Sequence, residues 1–213
     1  MSNSEAGYWN EFYGSRSAVP SVPSQFAVFA AGEVPEGATI VDIGCGTGRD
    51  SLFFASVGHN VLGIDGSTSA IDRCETTAHQ RGLRNAKFLC SSVDASDLGE
   101  RIAAAATDGP IVVYARFFLH AIDEETEAAF LGMVAGLKNF AMLAIEFRTD
   151  RDAQQAKVTP SHYRRFIPPV AFLVRAQAAG FAPQYFTEGF GFAKFKQDDA
   201  HVARVLLTRE AAA

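Results

Sequence analysis

The chain has 213 residues, enough to bury a full hydrophobic core as one domain of ordinary size. Hydrophobic residues make up 48% and charged residues 20%, which excludes a disordered chain, and the formal net charge of -5 argues against a nucleic-acid surface built on net positive charge. Three cysteines, Cys45, Cys74 and Cys90, lack metal-binding spacing, so we expect buried reduced thiols. The N-terminus has no signal-peptide core and no segment reads as a membrane span, so we expect a cytoplasmic protein.

The first 38 residues are too aromatic for a disordered tail, since they contain Tyr8, Trp9, Phe12 and Tyr13. We therefore expect residues 1–38 to form an aromatic cap or lid, followed by one domain at residues 39–213.

Five apolar runs of strand length follow, at Thr39–Ile43, Asn60–Ile64, Ala86–Ser91, Ile111–Ala115 and Phe140–Glu146. Segments with helical periodicity lie between them, at Arg49–Ser56, Ser69–Arg81, Asp97–Ala105 and Glu124–Leu137. Strands that alternate with helices predict an α/β fold in which a parallel sheet is covered by helices on both faces.

The pattern changes after the fifth strand. A basic segment near residues 147–168 precedes one more predicted helix, Val170–Ala179. Two strand-like runs then follow, Pro183–Phe195 and His201–Leu207, separated by a polar turn. They predict a closing antiparallel hairpin, with the basic segment as an insert on the substrate side.

The first predicted strand enters three closely spaced glycines, Gly44, Gly46 and Gly48. Glycines suit a tight turn that a ligand approaches closely, but a dinucleotide fingerprint has its third glycine one residue later. Asp42 precedes the loop, where a carboxylate would repel a pyrophosphate and suit a positively charged ligand. S-adenosylmethionine has an ammonium, a sulfonium and no phosphate, so an NAD-dependent oxidoreductase is the disfavoured alternative. Asp65, ending the second strand, would accept from ribose hydroxyls in either kind of site.

The motif Asp42-Ile43-Gly44-Cys45-Gly46-Thr47-Gly48 resembles the first motif of the class I S-adenosylmethionine-dependent methyltransferases, and Asp65 falls on their second-strand acid. Ser92-Val93-Asp94 is similar to their segment beside the adenine amino group. The resemblance covers roughly residues 38 to 146. It implies a Rossmann-like, seven-stranded, mostly parallel sheet with an antiparallel C-terminal hairpin, and S-adenosyl-L-methionine as cofactor with S-adenosyl-L-homocysteine as product. The cofactor-binding residues that we expect are Tyr13, Asp42, Gly44, Cys45, Gly46, Gly48, Asp65, Gly66, Ser67, Val93, Asp94, Ala115 and Arg116.

The segment after the fourth strand, Tyr114 to His120, lies at the edge of the sheet where ligands bind. DNA-methylating relatives carry Asp/Asn-Pro-Pro-aromatic there, whereas this chain has Ala-Arg-Phe-Phe, which counts against a nucleobase acceptor. Its FFLHAI run resembles small-molecule and sugar-modifying members of the family.

Two residues near this edge are catalytic candidates. His120 is the candidate general base, since imidazole titrates near neutral pH, and the alternative is a structural histidine bonded to a carbonyl. Glu146 would orient His120 or accept from a substrate hydroxyl, and its alternative is an ion pair with Arg148. Arg116 would orient an acidic substrate or pair with a neighbouring acid.

The basic segment offers forked donors for a carboxylate, phosphate or sulfate. The alternative is a solvated loop, or arginines that neutralise local acids. Tyr8 and Trp9 would close over the methionine end or simply pack as a cap. The predicted substrate-binding residues are Tyr8, Trp9, Arg116, Arg148, His162, Tyr163, Arg164 and Arg165.

We therefore predict SN2 methyl transfer to an oxygen of a small polar or anionic acceptor, such as a sugar, a carboxylate or a phosphorylated metabolite. Most catalysis would come from alignment, and no metal ion is required. Thiol, metalloid or nitrogen acceptors stay open, as does a non-catalytic S-adenosylmethionine-binding module. The expected partner is a small-molecule acceptor, with no nucleic acid and no membrane, and a homodimer is possible.

Overall fold

The computed structural model describes residues 3–14, 22–106, 109–154, 165–194 and 198–210. Its strands are β1 (Thr39–Ile43), β2 (Asn60–Asp65), β3 (Ala86–Cys90), β4 (Ile111–Arg116), β5 (Phe140–Arg148), β6 (Phe181–Gly189) and β7 (Val202–Arg209). They form one seven-stranded sheet in the order β3-β2-β1-β4-β5-β7-β6. The first five strands pair in parallel, and β7 runs antiparallel to both β5 and β6. The predicted Rossmann-like sheet with its antiparallel hairpin is confirmed.

The described helices are α1 (Asn3–Gly14), α2 (Gln25–Ala31), α3 (Arg49–Ser56), α4 (Thr68–Gln80), α5 (Leu98–Ala105), α6 (Glu124–Gly136) and α7 (Pro169–Ala178). They leave one apolar core on each face of the sheet. Ile102, Phe130 and Phe172 pack on one face, and Phe26 and Phe54 pack on the other. Because β1 is covered from both sides, all five of its residues are buried, which explains why all of them except Asp42 are β-branched.

The connection from β1 to α3 is a tight turn whose three glycines have positive φ angles, 70° at Gly44, 54° at Gly46 and 79° at Gly48. Backbone bonds from the Gly44 and Cys45 amides to the Ile64 carbonyl, 2.8 and 3.0 Å long, attach this loop to β2. A Cβ atom on Gly46 would lie 2.7 Å from the Tyr13 hydroxyl. Side chains are therefore excluded from Gly46 by both conformation and space.

Two N-terminal helices are present that the sequence reading does not predict. On α1, the Asn10 side-chain oxygen accepts hydrogen bonds from the Ser67 hydroxyl at 2.8 Å and from the Ser69 amide at 3.1 Å. These contacts attach α1 to the beginning of α4. Ser24 caps α2 by accepting from the Ala27 amide at 2.9 Å.

The Arg49-Asp50 pair attaches the segment before α2 to the first turn of α3. Arg49 donates to the Val22 carbonyl at 2.8 Å, and Asp50 accepts from the Ser24 amide and hydroxyl at 2.8 and 2.7 Å. Arg49, which follows the last glycine of the loop, therefore has a structural role. It holds the N-terminal region against the glycine loop.

The predicted bounds of the C-terminal hairpin are wrong at one strand. β6 begins at Phe181 and ends at Gly189, whereas the apolar run suggested Pro183–Phe195. Gly191, with φ 82°, follows soon after the end of the strand and turns the chain out of it. β6 is the edge of the sheet, where Pro183 is tolerated because its missing N–H is not needed for pairing.

None of the helices in the described part of the chain is long and apolar enough to cross a membrane.

Candidate active site

A small cleft, with a cavity volume of about 70 Å³, opens at the carboxyl ends of the parallel strands. Its lining brings together residues from the glycine loop, the ends of β2 and β3, the segment after β4, and α1. In the sheet order, β1 and β4 are neighbours whose connections leave in opposite directions, which is the switch point where open α/β sheets bind ligands. The sequence-predicted residues that line this cleft are Trp9, Tyr13, Gly44, Asp65, Gly66, Ser67 and Val93.

Asp65 lies at the end of β2 and lines the cleft. One carboxylate oxygen accepts from the Gly46 amide at 2.9 Å and the other from the Ser67 amide at 2.9 Å. Burial raises the pKa of Asp65, and the bonds from the backbone amides oppose that shift. A carboxylate has about four acceptor sites, and the Gly66 amide also bonds to this one, so acceptor capacity remains for a ligand hydroxyl.

Asp42 is buried beneath the glycine loop on the face of the sheet that α3 covers. Its carboxylate accepts a hydrogen bond of 2.5 Å from the Ser51 hydroxyl. Burial raises its pKa to about 7, the Ser51 bond opposes the shift, and the charges of Asp50 and Asp65 add to it. Asp42 is not among the residues that line the cleft, so its contact with a cofactor stays a prediction.

Two thiols meet under the glycine loop. The Cys74 thiol lies 3.2 Å and the Cys45 thiol 3.7 Å from the Gly46 carbonyl oxygen, to which both donate. The hydrogen bond with Cys74, together with burial, raises the pKa of the Cys45 thiol well above its ordinary value. All three cysteines are free, but Cys90 is exposed at the end of β3, so the prediction of burial is wrong for it.

α1 lies over the glycine loop. The tip of the Tyr13 ring is against Gly46, and the rings of Trp9 and Tyr13 stack with centroids 5.7 Å apart. Both rings line the cleft, and the role of residues 1–38 as a cap stays a prediction. The side chain of Tyr8 lies outside the described part of the structure.

The segment after β3 is divided between two sites. Val93 is buried and lines the cleft, whereas Asp94 borders a separate groove between α5 and α6. The Ser92 hydroxyl donates to the Asp94 carboxylate, and this bond lowers the pKa of Asp94. The predicted adenine contact of Asp94 therefore requires its carboxylate to turn toward the cleft.

The residues after β4 form the other wall. Phe117 lines the cleft. Among the described residues, it is the one residue other than glycine that has a positive φ angle, 56°. A left-handed conformation costs a bulky residue about 1–2 kcal/mol, and such strain concentrates at functional sites. Ala115, predicted to bind the cofactor, is instead packed in the core with its side chain fully buried.

Glu146 is fully buried and neutralises two arginines. It accepts from Arg116 Nε at 2.8 Å and from Arg204 Nε at 2.7 Å. The alternative expectation of a Glu146–Arg148 pair is wrong, because Arg148 pairs with Asp152 at 2.7 Å and with Asp198 at 2.9 Å. For Arg116, the structure shows the pairing with a neighbouring acid.

His120 lies in a single helical turn, Leu119–Ala121, and is buried. Its ring packs edge to face against Phe117 with centroids 5.4 Å apart, and its carbonyl accepts from the Arg165 amide at 2.8 Å. Phe117, Phe118 and Ala121 line the cleft, and His120 is not among the lining residues. Its role as a base stays a prediction.

The basic segment is neutralised wherever it is described. Arg165 pairs with Glu127 and, at 3.5 Å, with Glu124, while Arg151 pairs with Glu188 at 3.2 Å. The alternative that arginines neutralise local acids therefore holds for them and for Arg148. The other predicted members, His162, Tyr163 and Arg164, lie outside the described residues.

Phe117 and Phe118 are site residues that the sequence reading did not select. The paired aromatics directly after a strand at the ligand-binding edge are the signal that could have identified them. The φ angle of Phe117 has no counterpart in the sequence.

The sequence profile of the methyltransferase domain family matches residues 40–139, just under half of the chain. The S-adenosyl-L-methionine-dependent Diels-Alderase iccD of Talaromyces variabilis is 26% identical over 123 residues, which are 57% of this chain and 41% of that protein. The matched region thus spans less than half of that relative.

Two solved structures show the same fold. An S-adenosylmethionine-dependent methyltransferase of Anabaena variabilis aligns with a TM-score of 0.74 and 16% identity, over 99% of this chain and 96% of that one. The magnesium protoporphyrin IX methyltransferase of Synechocystis, solved with bound S-adenosylmethionine, aligns with a TM-score of 0.65 and 14% identity over 99% of each chain.

The fold is that of the class I S-adenosylmethionine-dependent methyltransferases. Residues 40–139 match the methyltransferase domain family, and one solved structure of the same fold contains bound S-adenosylmethionine.

Proposed function

We propose that this protein binds S-adenosylmethionine in the cleft and transfers its methyl group to an oxygen of a small-molecule acceptor. The observation that carries the proposal is the position of Asp65 at the end of β2. Its two oxygens hold the Gly46 and Ser67 amides, and its remaining acceptor capacity suits a ribose hydroxyl.

The charges around the loop support this cofactor over a dinucleotide. Asp42 and Asp65 both lie beside the glycine turn, and the charge of Asp65 contributes to the raised pKa of Asp42. A pyrophosphate would add negative charge to this site. A ligand with an ammonium and a sulfonium would instead stabilise both carboxylates.

When bound, S-adenosylmethionine supplies an electrophilic methyl group on its sulfonium. The chain contributes binding, alignment and exclusion of water. Trp9 and Tyr13 cover the cleft from α1, while Phe117 and Phe118 cover it from the segment after β4. Holding donor and acceptor in line supplies most of the acceleration for this kind of reaction.

The finer prediction of an anionic acceptor loses its support among the described residues. Of the residues predicted to bind an anion, Arg148 and Arg165 are paired with carboxylates inside the protein, and His162, Tyr163 and Arg164 lie outside the described residues. The proposal keeps oxygen as the acceptor atom. His120 is the candidate base, behind the ring of Phe117.

A second candidate is cofactor binding without methyl transfer. It is favoured by the relative named as a Diels-Alderase and by the aromatic character of the cleft. In that case the bound S-adenosylmethionine would stay intact.

The test is transfer of label from S-adenosylmethionine carrying an isotopic methyl group. The protein is incubated with a panel of small alcohols, phenols, carboxylates, thiols and amines, and release of S-adenosylhomocysteine is measured with each. We expect transfer to a hydroxyl compound, with Asp65→Ala as the variant that loses it. Tight cofactor binding without turnover across the panel would favour the second candidate, and transfer only to thiols or amines would contradict oxygen as the acceptor atom.

A further inference from the structure

Phe117 is held in its left-handed conformation from several sides. The Phe117 amide donates to the Glu146 carbonyl at 2.8 Å. The guanidinium of Arg116 lies 4.1 Å and that of Arg148 lies 5.2 Å from the centre of the ring. Cations over a ring face attract its quadrupole, so these contacts offset the backbone strain and fix the ring. The His120 imidazole also packs edge to face against the Phe117 ring.

The cations behind Phe117 are matched by carboxylates. Arg116 and Arg204 share Glu146, and Arg148 pairs with both Asp152 and Asp198, so three arginines face three carboxylates. Such pairs leave no surplus positive charge among these described residues to attract an anionic acceptor. Of the three arginines, Arg116 and Arg148 contact the Phe117 ring.

The cleft has polar and aromatic walls. The polar side chains, Asp65, Ser67 and Ser91, come from the ends of β2 and β3, where the adenosyl part of the cofactor is expected. The rings of Trp9, Tyr13, Phe117 and Phe118 line the same cleft, in which Tyr13 and Phe118 lie against the glycine loop. Rings from two separate elements face this space, an arrangement that suits a flat aromatic molecule.

From these observations we propose that Phe117 determines acceptor specificity and that the acceptor is a neutral aromatic molecule carrying a hydroxyl group. Arg116, Glu146 and Arg148 act as positioning residues through the Phe117 ring. The inference rests on the proposed function, because it assigns the part of the cleft that the cofactor leaves to the acceptor.

The test uses two probes that share a naphthalene ring and differ in charge. 2-Naphthol is neutral at pH 7, and 2-naphthoate is anionic. Each is titrated into the full chain saturated with S-adenosylhomocysteine, and binding is followed by ligand-observed NMR. The wild-type protein is expected to bind 2-naphthol about tenfold tighter than 2-naphthoate, since burying an unpaired carboxylate is costly.

Phe117→Gly is the central variant, because glycine adopts a φ angle of 56° without strain and the variant should fold. It is expected to weaken 2-naphthol about tenfold and to reduce the affinity for S-adenosylhomocysteine by much less. The matched control is Phe186→Ala, which removes an exposed phenylalanine on the edge strand.

Arg148→Lys tests the positioning role. Lysine keeps the charge near Asp152 and Asp198 but lacks the planar group over the ring, so 2-naphthol should bind less tightly, with S-adenosylhomocysteine binding unchanged. Equal affinity for the two probes, no binding of either, or a Phe117→Gly variant with unchanged 2-naphthol affinity would overturn the inference. Failure of the wild-type chain to bind S-adenosylhomocysteine would instead overturn the proposed function.

Discussion

Replacement of Asp42 with asparagine is expected to remove a pH-dependent loss of stability. Burial raises the pKa of Asp42 from 3.8 to about 7, so the folded protein holds this proton more tightly than the unfolded chain does. The stability that the protonated group provides is fully present below about pH 4 and is lost as the pH rises through 7. A shift of about three units corresponds to roughly 4 kcal/mol in total, of which about 2–3 kcal/mol falls between pH 5 and 8.

The assay is urea unfolding of the wild-type protein and of Asp42→Asn at pH 5, 6, 7 and 8. Asparagine retains an oxygen for the Ser51 hydroxyl and does not titrate, so it serves as the neutral reference. The wild-type free energy of unfolding should fall relative to that of the variant by about 2–3 kcal/mol over this range. Parallel pH profiles would refute the argument that Asp42 is buried and protonated near neutral pH.

Three further predictions concern the loop, the core and the candidate base. Gly46→Val should fold but lose binding of S-adenosylhomocysteine in calorimetry, because its side chain would collide with Tyr13 at a positive φ angle, whereas Gly132→Ala, in open space, should bind normally. Glu127→Ala should lower the free energy of unfolding by about 3–5 kcal/mol in urea, since two arginines lose their buried partner. His120→Ala should lower kcat by about 10²–10⁴ without changing cofactor affinity if His120 is the base, and an unchanged kcat would make it structural.

The sequence predicts the sheet well because its central strands are buried on both faces. A strand covered from both sides is apolar at most positions, so β1, β4 and β5 appear as runs bounded by turns, interrupted by acids such as Asp42 and Glu146. The sequence does not predict α1 and α2, because the residues that stabilise these helices are distant from them in the sequence. Ser24 is tied to Asp50, and Asn10 to the residues that begin α4.

The site residues also fall into those that the sequence predicts and those that it does not. Asp65, Val93 and Tyr13 were predicted for the cofactor and line the cleft, since glycine spacing and strand ends leave a local signature. The acceptor side of the cleft leaves no such local signature in the sequence. Whether an arginine binds a substrate or an internal acid depends on partners 38 to 58 residues away, as with Arg165 and Glu127 or Arg204 and Glu146.

Calorimetric titration of the wild-type chain with S-adenosylhomocysteine and, separately, with NAD tests the central claim most directly. We expect saturable binding of S-adenosylhomocysteine, weakened in Asp65→Ala by loss of the ribose acceptor, and no heat of binding with NAD. Tight binding of NAD without a response to S-adenosylhomocysteine would contradict this claim.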